Sequence, residues 1–509
     1  MKKIVLLFSV LLLLLSCQKQ NSVESSISLS SSLIVLQVGQ DTIIEATVSP
    51  KSSVVEWTTE DQNVATVFAG IVTAIGEGTT TISASANGKT ANCTVIVESP
   101  SDQEPEDDNL SDAVRYLSRS AKRGVSFSSP FFVEDIALLS NGISWVYNWG
   151  PAPNSSFDAE FVKYDIDFFP MAWNANYNKK QITDYVNSHP NCKYILAYNE
   201  PNLNDQARMT PAEAAASWRE LCDFSHSLGL KIVSPAMNYG NLDNYSDPIK
   251  WLDEFFARPE VSLDDIDAIA LHCYMGNAGS MKSFIDGFAK YGKPIWMTEF
   301  CGWKAPVSSE KAQLEYMSEA VLMLEKHPLI EKYAWFIARG SGSISKEPWN
   351  QLLTKTEPYT LSSQGLIYTT LSSFDKSVWL KASNHILMNT FSDICTLSDL
   401  QPIISPRFMP MNDAYNTLYM TNFVTNKWVE YQVDAETEYN SVDIRYMAYM
   451  KTVLQIDIDG VATQIELPRC ADGEWRTAKL NISLQAGKHV VKVLNISGNT
   501  NIHWLQFLK

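Results

Sequence analysis

Glu200 and Glu299 each close an apolar run of the 509-residue chain, in YILAYNE (194–200) and IWMTEF (295–300), 99 residues apart. Two carboxyls can divide the work of breaking a glycosidic bond: one protonates the departing oxygen, and the other attacks the anomeric carbon or activates water. A separation of about 5–5.5 Å gives retention of configuration and about 6.5–9.5 Å gives inversion. Spacing along the chain leaves that choice open.

Polar and aromatic residues recur at the ends of other apolar runs. Asn199 directly precedes Glu200, and Asn202 and Gln206 follow it. His272 and Tyr274 close AIALHCY, Asn148 and Trp149 close SWVYNWG, Trp173 closes DFFPMAW and Trp335 stands in KYAWFIA. Indole and phenol rings offer flat faces to the apolar side of a sugar, so these are the candidate substrate contacts.

Such residues work together only if their runs end on one rim. Between Arg123 and Ala338 stand eight apolar runs, several of them continuous, as in strands buried on both faces of a parallel sheet. Between them, TPAEAAASWRELCDFSHSLG has Thr210 as N-cap, Pro211 in the first turn, Glu213 to complete a capping box and Gly229 as a stop. KAQLEYMSEAVLMLEK (311–326) is a second amphipathic helix. Strands alternating with helices over 120–345 predict a (β/α)8 TIM barrel, whose catalytic groups stand at the C-terminal ends of the strands; 346–379 reads as barrel end and connector.

The flanks read as β structure. Short alternating runs with frequent turns over 27–98 predict a small sandwich, and alternating strands over 380–509 predict a second, of jelly-roll type. The acidic stretch 99–119 reads as a solvated linker. At the start, MKKIVLLFSVLLLLLSC reads as a signal peptide (1–16), with 17–26 as a tether. The other seven cysteines, odd in number and without CxxC spacing, suggest neither a metal cluster nor a disulfide framework.

A net charge of −17 excludes the basic surface that nucleic-acid binding requires, whereas 14 Trp suit neutral sugars.

Three resemblances sharpen these expectations. Asn-Glu-Pro ending a fourth strand, with a Glu ending a seventh, resembles the retaining glycoside hydrolases of clan A. KRGVSF, WVYNWG, FFPMAWNA, YILAYNEPN, QARMTPAEAAASW, HCYMG and WMTEFCGW together resemble glycoside hydrolase family 128, a family of β-1,3-glucanases. That resemblance implies Glu200 as general acid/base and Glu299 as nucleophile. It also implies Asn199 at the hydroxyl beside the reacting carbon, Tyr274 as donor to the nucleophile and Trp335 as an aromatic floor. In these roles Glu200 should have a raised pKa and Glu299 should stay ionised. Asn174 stands where the family tends to have Gly, which puts the outer subsites in doubt. The strings VEWTTEDQNVATV and GIVTAIGEGTTTISASANGKTANCTVIV resemble a group 2 bacterial immunoglobulin-like domain, with Trp57 in its core. LLSC resembles a lipobox, with Cys17 lipidated. The C-terminal strands resemble carbohydrate-binding modules of families 6 and 35, in which Trp428 and Trp504 read as core and Trp475 as the surface candidate.

The expected protein is an exported outer-membrane or cell-surface lipoprotein, a monomer, that cleaves β-1,3-glucan with retention. The alternatives are a clan A hydrolase of β-1,4-glucan or mannan, or an inactive glycan-binding protein. No cofactor and no metal is expected, with a structural calcium ion in the C-terminal module left open.

Overall fold

A computed structural model describes residues 25–39, 41–51, 53–98, 109–303, 307–339, 349–395 and 405–509. Cys17, the signal peptide and residues 99–108 of the expected linker lie outside the described residues. The chain divides into two compact units, Met1–Asp108 and Asn109–Lys509.

The first unit is all β. One sheet runs Leu33–Gln37, Lys89–Glu98, Gly78–Ala86, Glu56–Thr59, and a second runs Asp41–Ile43, Ile71–Ala74, Ala65–Phe68. The alternation in GTTTISASA buries every second side chain from Thr80 onward, which lets Ile82 and Ala84 enter a core with Val72, Cys93 and Val95. Trp57 packs partly buried against that core, where the sequence assigns it.

In the second unit, eight short strands lie parallel: β1 (Arg123–Ser126), β2 (Trp145–Tyr147), β3 (Asp167–Phe168), β4 (Tyr194–Leu196), β5 (Lys231–Val233), β6 (Ile269–Cys273), β7 (Ile295–Phe300) and β8 (Ile330–Trp335). Ladders join β1 to β2, β2 to β3, β4 to β5, β6 to β7 and β7 to β8. Single bridges, Met171 to Leu196 and Val233 to Ala268, carry the sequence across β3/β4 and β5/β6. Because β1 also pairs with β8, the circuit of parallel pairings returns to its start. Every residue of β1, β2, β6 and β7 is buried, as expected of strands covered on both faces.

Helices lie between the strands: α1 (Val133–Leu139), α2 (Asp158–Lys163), α3 (Lys179–Ser188), α4 (Pro211–Ser227), α5 (Pro248–Phe256), α6 (Ala278–Gly287), α7 (Glu310–Lys326) and α8 (Ser363–Thr370). α4 begins where its local chemistry dictates. The Thr210 hydroxyl accepts from Glu213 N at 3.3 Å, and the Glu213 carboxylate accepts from Thr210 N at 2.8 Å. After the helix Gly229 takes φ +71°, the left-handed turn that glycine tolerates.

The C-terminal strands form two further sheets. They are not a separately cored domain: their apolar residues and those of the parallel ring form one continuous core. Arg407 reaches Glu315 at 2.7 Å and Glu319 at 2.8 Å on α7, and Ser318 Oγ accepts from Phe408 N at 2.8 Å. The expected linker also differs from the structure, since 109–119 is packed rather than solvated. Leu110 joins Leu387 and Trp504 in a cluster, Asp112 pairs with His385 at 2.9 Å, and Asn389 donates to Arg115 O at 2.6 Å. Composition shows acidity, but packing is decided by the few apolar residues at the end of such a stretch. The seven described cysteines are buried.

Candidate active site

Glu200 follows β4 with φ +44°, a left-handed conformation that a non-glycine residue adopts only when its surroundings hold it there. The turn is closed by Leu203 N donating to Glu200 O at 3.0 Å and by Met209 N donating to Pro201 O at 2.8 Å. Glu299 lies inside β7, where the register with β6 shifts between Leu271 and His272, so that His272 stands opposite Glu299. Such irregularities re-aim side chains beside active sites.

Both carboxyls are almost fully buried, Glu200 6% and Glu299 4% exposed. One polar atom from each of Glu200, His272 and Glu299 lies within 4.8 Å of the others. His272 Nδ1 stands 2.9 Å from Glu200 Oε1 and 3.4 Å from Glu299 Oε2, and Asn238 Nδ2 donates to Glu200 Oε1 at 3.2 Å. Glu299 has three donors: the Tyr147 hydroxyl at 2.9 Å and Trp149 Nε1 at 2.6 Å on Oε1, and the Tyr274 hydroxyl on Oε2.

Burial, followed by the charge of Glu299, raises the Tyr147 and Tyr274 phenols well above their usual range, so both remain protonated donors. Burial opposes a charge on His272, but the carboxylates of Glu299 and Glu200 outweigh it and its pKa is raised. The two glutamates run opposite to the sequence expectation. Burial pushes Glu200 up, but the charge and hydrogen bond of His272, helped by Asn238, hold it below the usual carboxylate value. Burial and the charge of Glu200 raise Glu299 against the pull of His272 and its donors. His272, placed nearest Glu200, lowers that carboxyl most, while burial and the neighbouring Glu200 charge prevail at Glu299.

Glu200, His272 and Glu299 have the donor types of a metal site. However, O–H and N–H donors already aim at both oxygens of Glu299, placing hydrogens where a cation would sit.

Of the other sequence candidates, Tyr274 and Trp149 bond Glu299, whereas Asn199 and Gln206 bond each other. Asn199 Nδ2 donates to Gln206 Oε1 at 3.1 Å, while its Oδ1 is buried without a donor. Two candidates are corrected. Trp335 is fully buried, donates to Asn350 O at 2.6 Å and packs on Tyr316 of α7 and Tyr368 of α8. Alternation along β8 turns Tyr333 and Trp335 outward to the helices, and Phe336 instead reaches Trp149, Tyr274 and Trp303 at the site. Asn202 is fully buried and donates to Asn238 O and Tyr245 O, which ties two loops together instead of lining a cleft. Asn148 closes its own turn, accepting from Gly150 N and donating to Ala152 O.

Trp173 stays half-buried, its carbonyl accepting from Asn199 N. Asn174 caps a turn at Asn176 N. Sequence reading missed Tyr147, Asn238 and Phe336. The first had a signal, because W-x-Y-x-W in 145–149 puts alternate rings on one face; Asn238 had none.

In the C-terminal sheets, Trp504 is 4% exposed in the cluster with Leu110. Trp428 lies partly buried under the ammonium of Lys492, and Trp475 is half-buried against Tyr419 and His503.

Residues 124–368 match the family described as glycosyl hydrolase catalytic core. A family 128 subgroup II endo-β-1,3-glucanase from Pseudomonas viridiflava is 38% identical, covering 50% of this chain and 99% of that one, with a TM-score of 0.45. Its counterpart from Sorangium cellulosum is 30% identical, covering 49% and 98%, with a TM-score of 0.44. Among curated proteins, alkali-sensitive linkage protein 1 of Schizosaccharomyces pombe is 27% identical over 213 residues, 39% of this chain; the chain spans 35% of that relative's length. On identities of 38% and 30% over nearly the whole of those two glucanase chains, this chain belongs to glycoside hydrolase family 128 and is a glycoside hydrolase.

Proposed function

We propose that the protein is a retaining β-1,3-glucanase, with Glu299 as nucleophile and Glu200 as acid/base on a (β/α)8 barrel. The observation that carries this reading is the approach of Glu200, His272 and Glu299 to within 4.8 Å, which suits direct attack by a carboxylate better than attack through an interposed water. The identities to endo-β-1,3-glucanases support the linkage.

In the first step a Glu299 oxygen bonds the anomeric carbon as the bond to the departing oxygen breaks, and Glu200 gives that oxygen a proton. In the second, Glu200 takes a proton from water, the water oxygen bonds the anomeric carbon, and the ester to Glu299 breaks. Glu200 must begin as an acid although its resting pKa is depressed. Passage of one proton across the 2.9 Å contact from His272 turns the imidazolium–carboxylate pair into imidazole and carboxylic acid with no exchange with solvent. Asn199, held by Gln206, has its buried Oδ1 free to accept from the sugar hydroxyl next to the reacting carbon.

We further propose that the unit before Asp108 is an immunoglobulin-like spacer, that the C-terminal sheets are a carbohydrate-binding module, and that lipidated Cys17 anchors an exported outer-membrane or cell-surface protein. No cofactor is required by the scheme.

The test is the proton magnetic resonance spectrum of the first product from a laminari-oligosaccharide, expected to be the β-anomer. Glu299→Ala should lower turnover by about a thousandfold or more. Turnover unchanged in that variant, or the α-anomer released first, overturns the assignment. Faster release from cellulose, mannan or xylan than from laminarin would move the substrate to another β-glycan.

A further inference from the structure

The residue that follows Asn238, a hydrogen-bond donor to Glu200, has an exposed aromatic side chain that the scheme above does not use. Tyr239 follows β5 in the stretch Ser234–Gly240 and is 59% exposed, although its loop is tightly held. Its amide donates to Asn238 Oδ1 at 2.8 Å, and the same Asn238 donates through Nδ2 to Glu200 Oε1 at 3.2 Å. The phenol ring is supported from one side by Phe284 of α6, centroids 5.3 Å apart and planes 39° to each other.

The loop cannot relax to bury that ring. Asn202 Nδ2 holds Asn238 O at 2.7 Å and Tyr245 O at 3.3 Å, while Asn202 O accepts from Asn241 N and Leu242 N. Gly240 lies so close to Asn202 that a Cβ there would stand 2.3 Å from Asn202 O. A rigid loop that keeps a large ring in water beside a catalytic carboxyl is ready for an apolar face to cover it.

The direction of the reaction says which face. The carboxyl that protonates the departing oxygen is next to the sugar that leaves, and the nucleophile is next to the sugar that stays. Rings on the Glu299 side, Trp149, Tyr274, Phe336 and Trp303, already pack against one another around the staying sugar's position. The backbone of Tyr239 is on the Glu200 side, its amide joined to that carboxyl through Asn238. We infer that Tyr239 is the stacking platform for a pyranose unit on the leaving-group side of the cleft. This rests on Glu200 being the acid of the proposed reaction.

The experiment compares two substrates on the full-length protein. Laminarihexaose places sugars on both sides of the broken bond, whereas β-laminaribiosyl fluoride loses fluoride and has no sugar on the leaving side. For Tyr239→Ala the ratio of kcat/KM on the hexaose to kcat/KM on the fluoride should fall about tenfold, mainly through KM, and Tyr239→Phe should keep it within about twofold, because stacking needs the ring and not the hydroxyl. An unchanged ratio in Tyr239→Ala overturns the platform, as does an equal loss on both substrates, which would mean that the tyrosine acts only through Asn238. Failure of the underlying reading looks different: the parent protein would turn over neither substrate, or Glu299→Ala would remain active.

Discussion

At the residue scale, His272 lowers the pKa of Glu200 and is itself raised by the two carboxyls around it. It is fully buried and faces Glu200 and Glu299, with the phenols of Tyr147 and Tyr274 donating to Glu299. Its pKa is raised from 6.5, so the cluster keeps its last proton until the pH climbs through the folded value, above 6.5, and then loses it. Replacing His272 by Gln leaves that proton to a carboxyl alone. The basic limb of kcat/KM should therefore move to lower pH by about one unit or more, measured across pH 4–9 (a range chosen to bracket carboxyl and imidazole titration). An unmoved limb would assign the proton elsewhere. The same sign governs stability: the contribution of His272 is fully present below 6.5 and disappears as pH rises through its folded pKa.

At the element scale, a buried ion pair stands behind the β1/β8 pairing that closes the ring. Arg123 of β1 donates to Glu325 of α7 at 2.8 Å, to Tyr333 of β8 at 2.9 Å and to the carbonyls of Tyr368 and Leu371 at the end of α8. With side chains 1% and 3% exposed, removal of one partner strands the other charge. Glu325→Ala should cost about 3–5 kcal/mol in chemical denaturation. By contrast, the N-cap of α4 is an exposed local device, and Thr210→Ala should cost about 1 kcal/mol. That difference also explains legibility. The cap, the helix it starts and the glycine that follows lie within 20 residues of sequence and could be read there. The Arg123–Glu325 pair joins residues 202 apart, and nothing local announces it.

At the scale of the whole molecule, the C-terminal sheets complete the ring's exterior instead of hanging from it. Arg407 and Phe408 donate hydrogen bonds to Glu315 and Ser318 of α7, and one apolar core runs through the ring and these sheets. The chain from 109 to 509 should unfold in a single calorimetric transition, whereas a chain ending at 379 should aggregate, having exposed that core. Two separate transitions would return the C-terminal sheets to the status of an independent module.

Periodicity, caps and turn residues act over a few positions, so the sequence by itself determined the eight strands, the main helices, the two glutamates and the asparagine beside the first. Which side of β8 faces the site depends on the register of neighbouring strands, and only the tertiary structure put Phe336 there and turned Trp335 to the helices. It alone brought Tyr147 and Trp149 from the end of β2, and Asn238 from beyond β5, onto the carboxyls. It also set the direction of the Glu200 pKa against expectation, because a pKa is set by what lies within a few ångströms in space, and the imidazole that lowers it is 72 residues away along the chain.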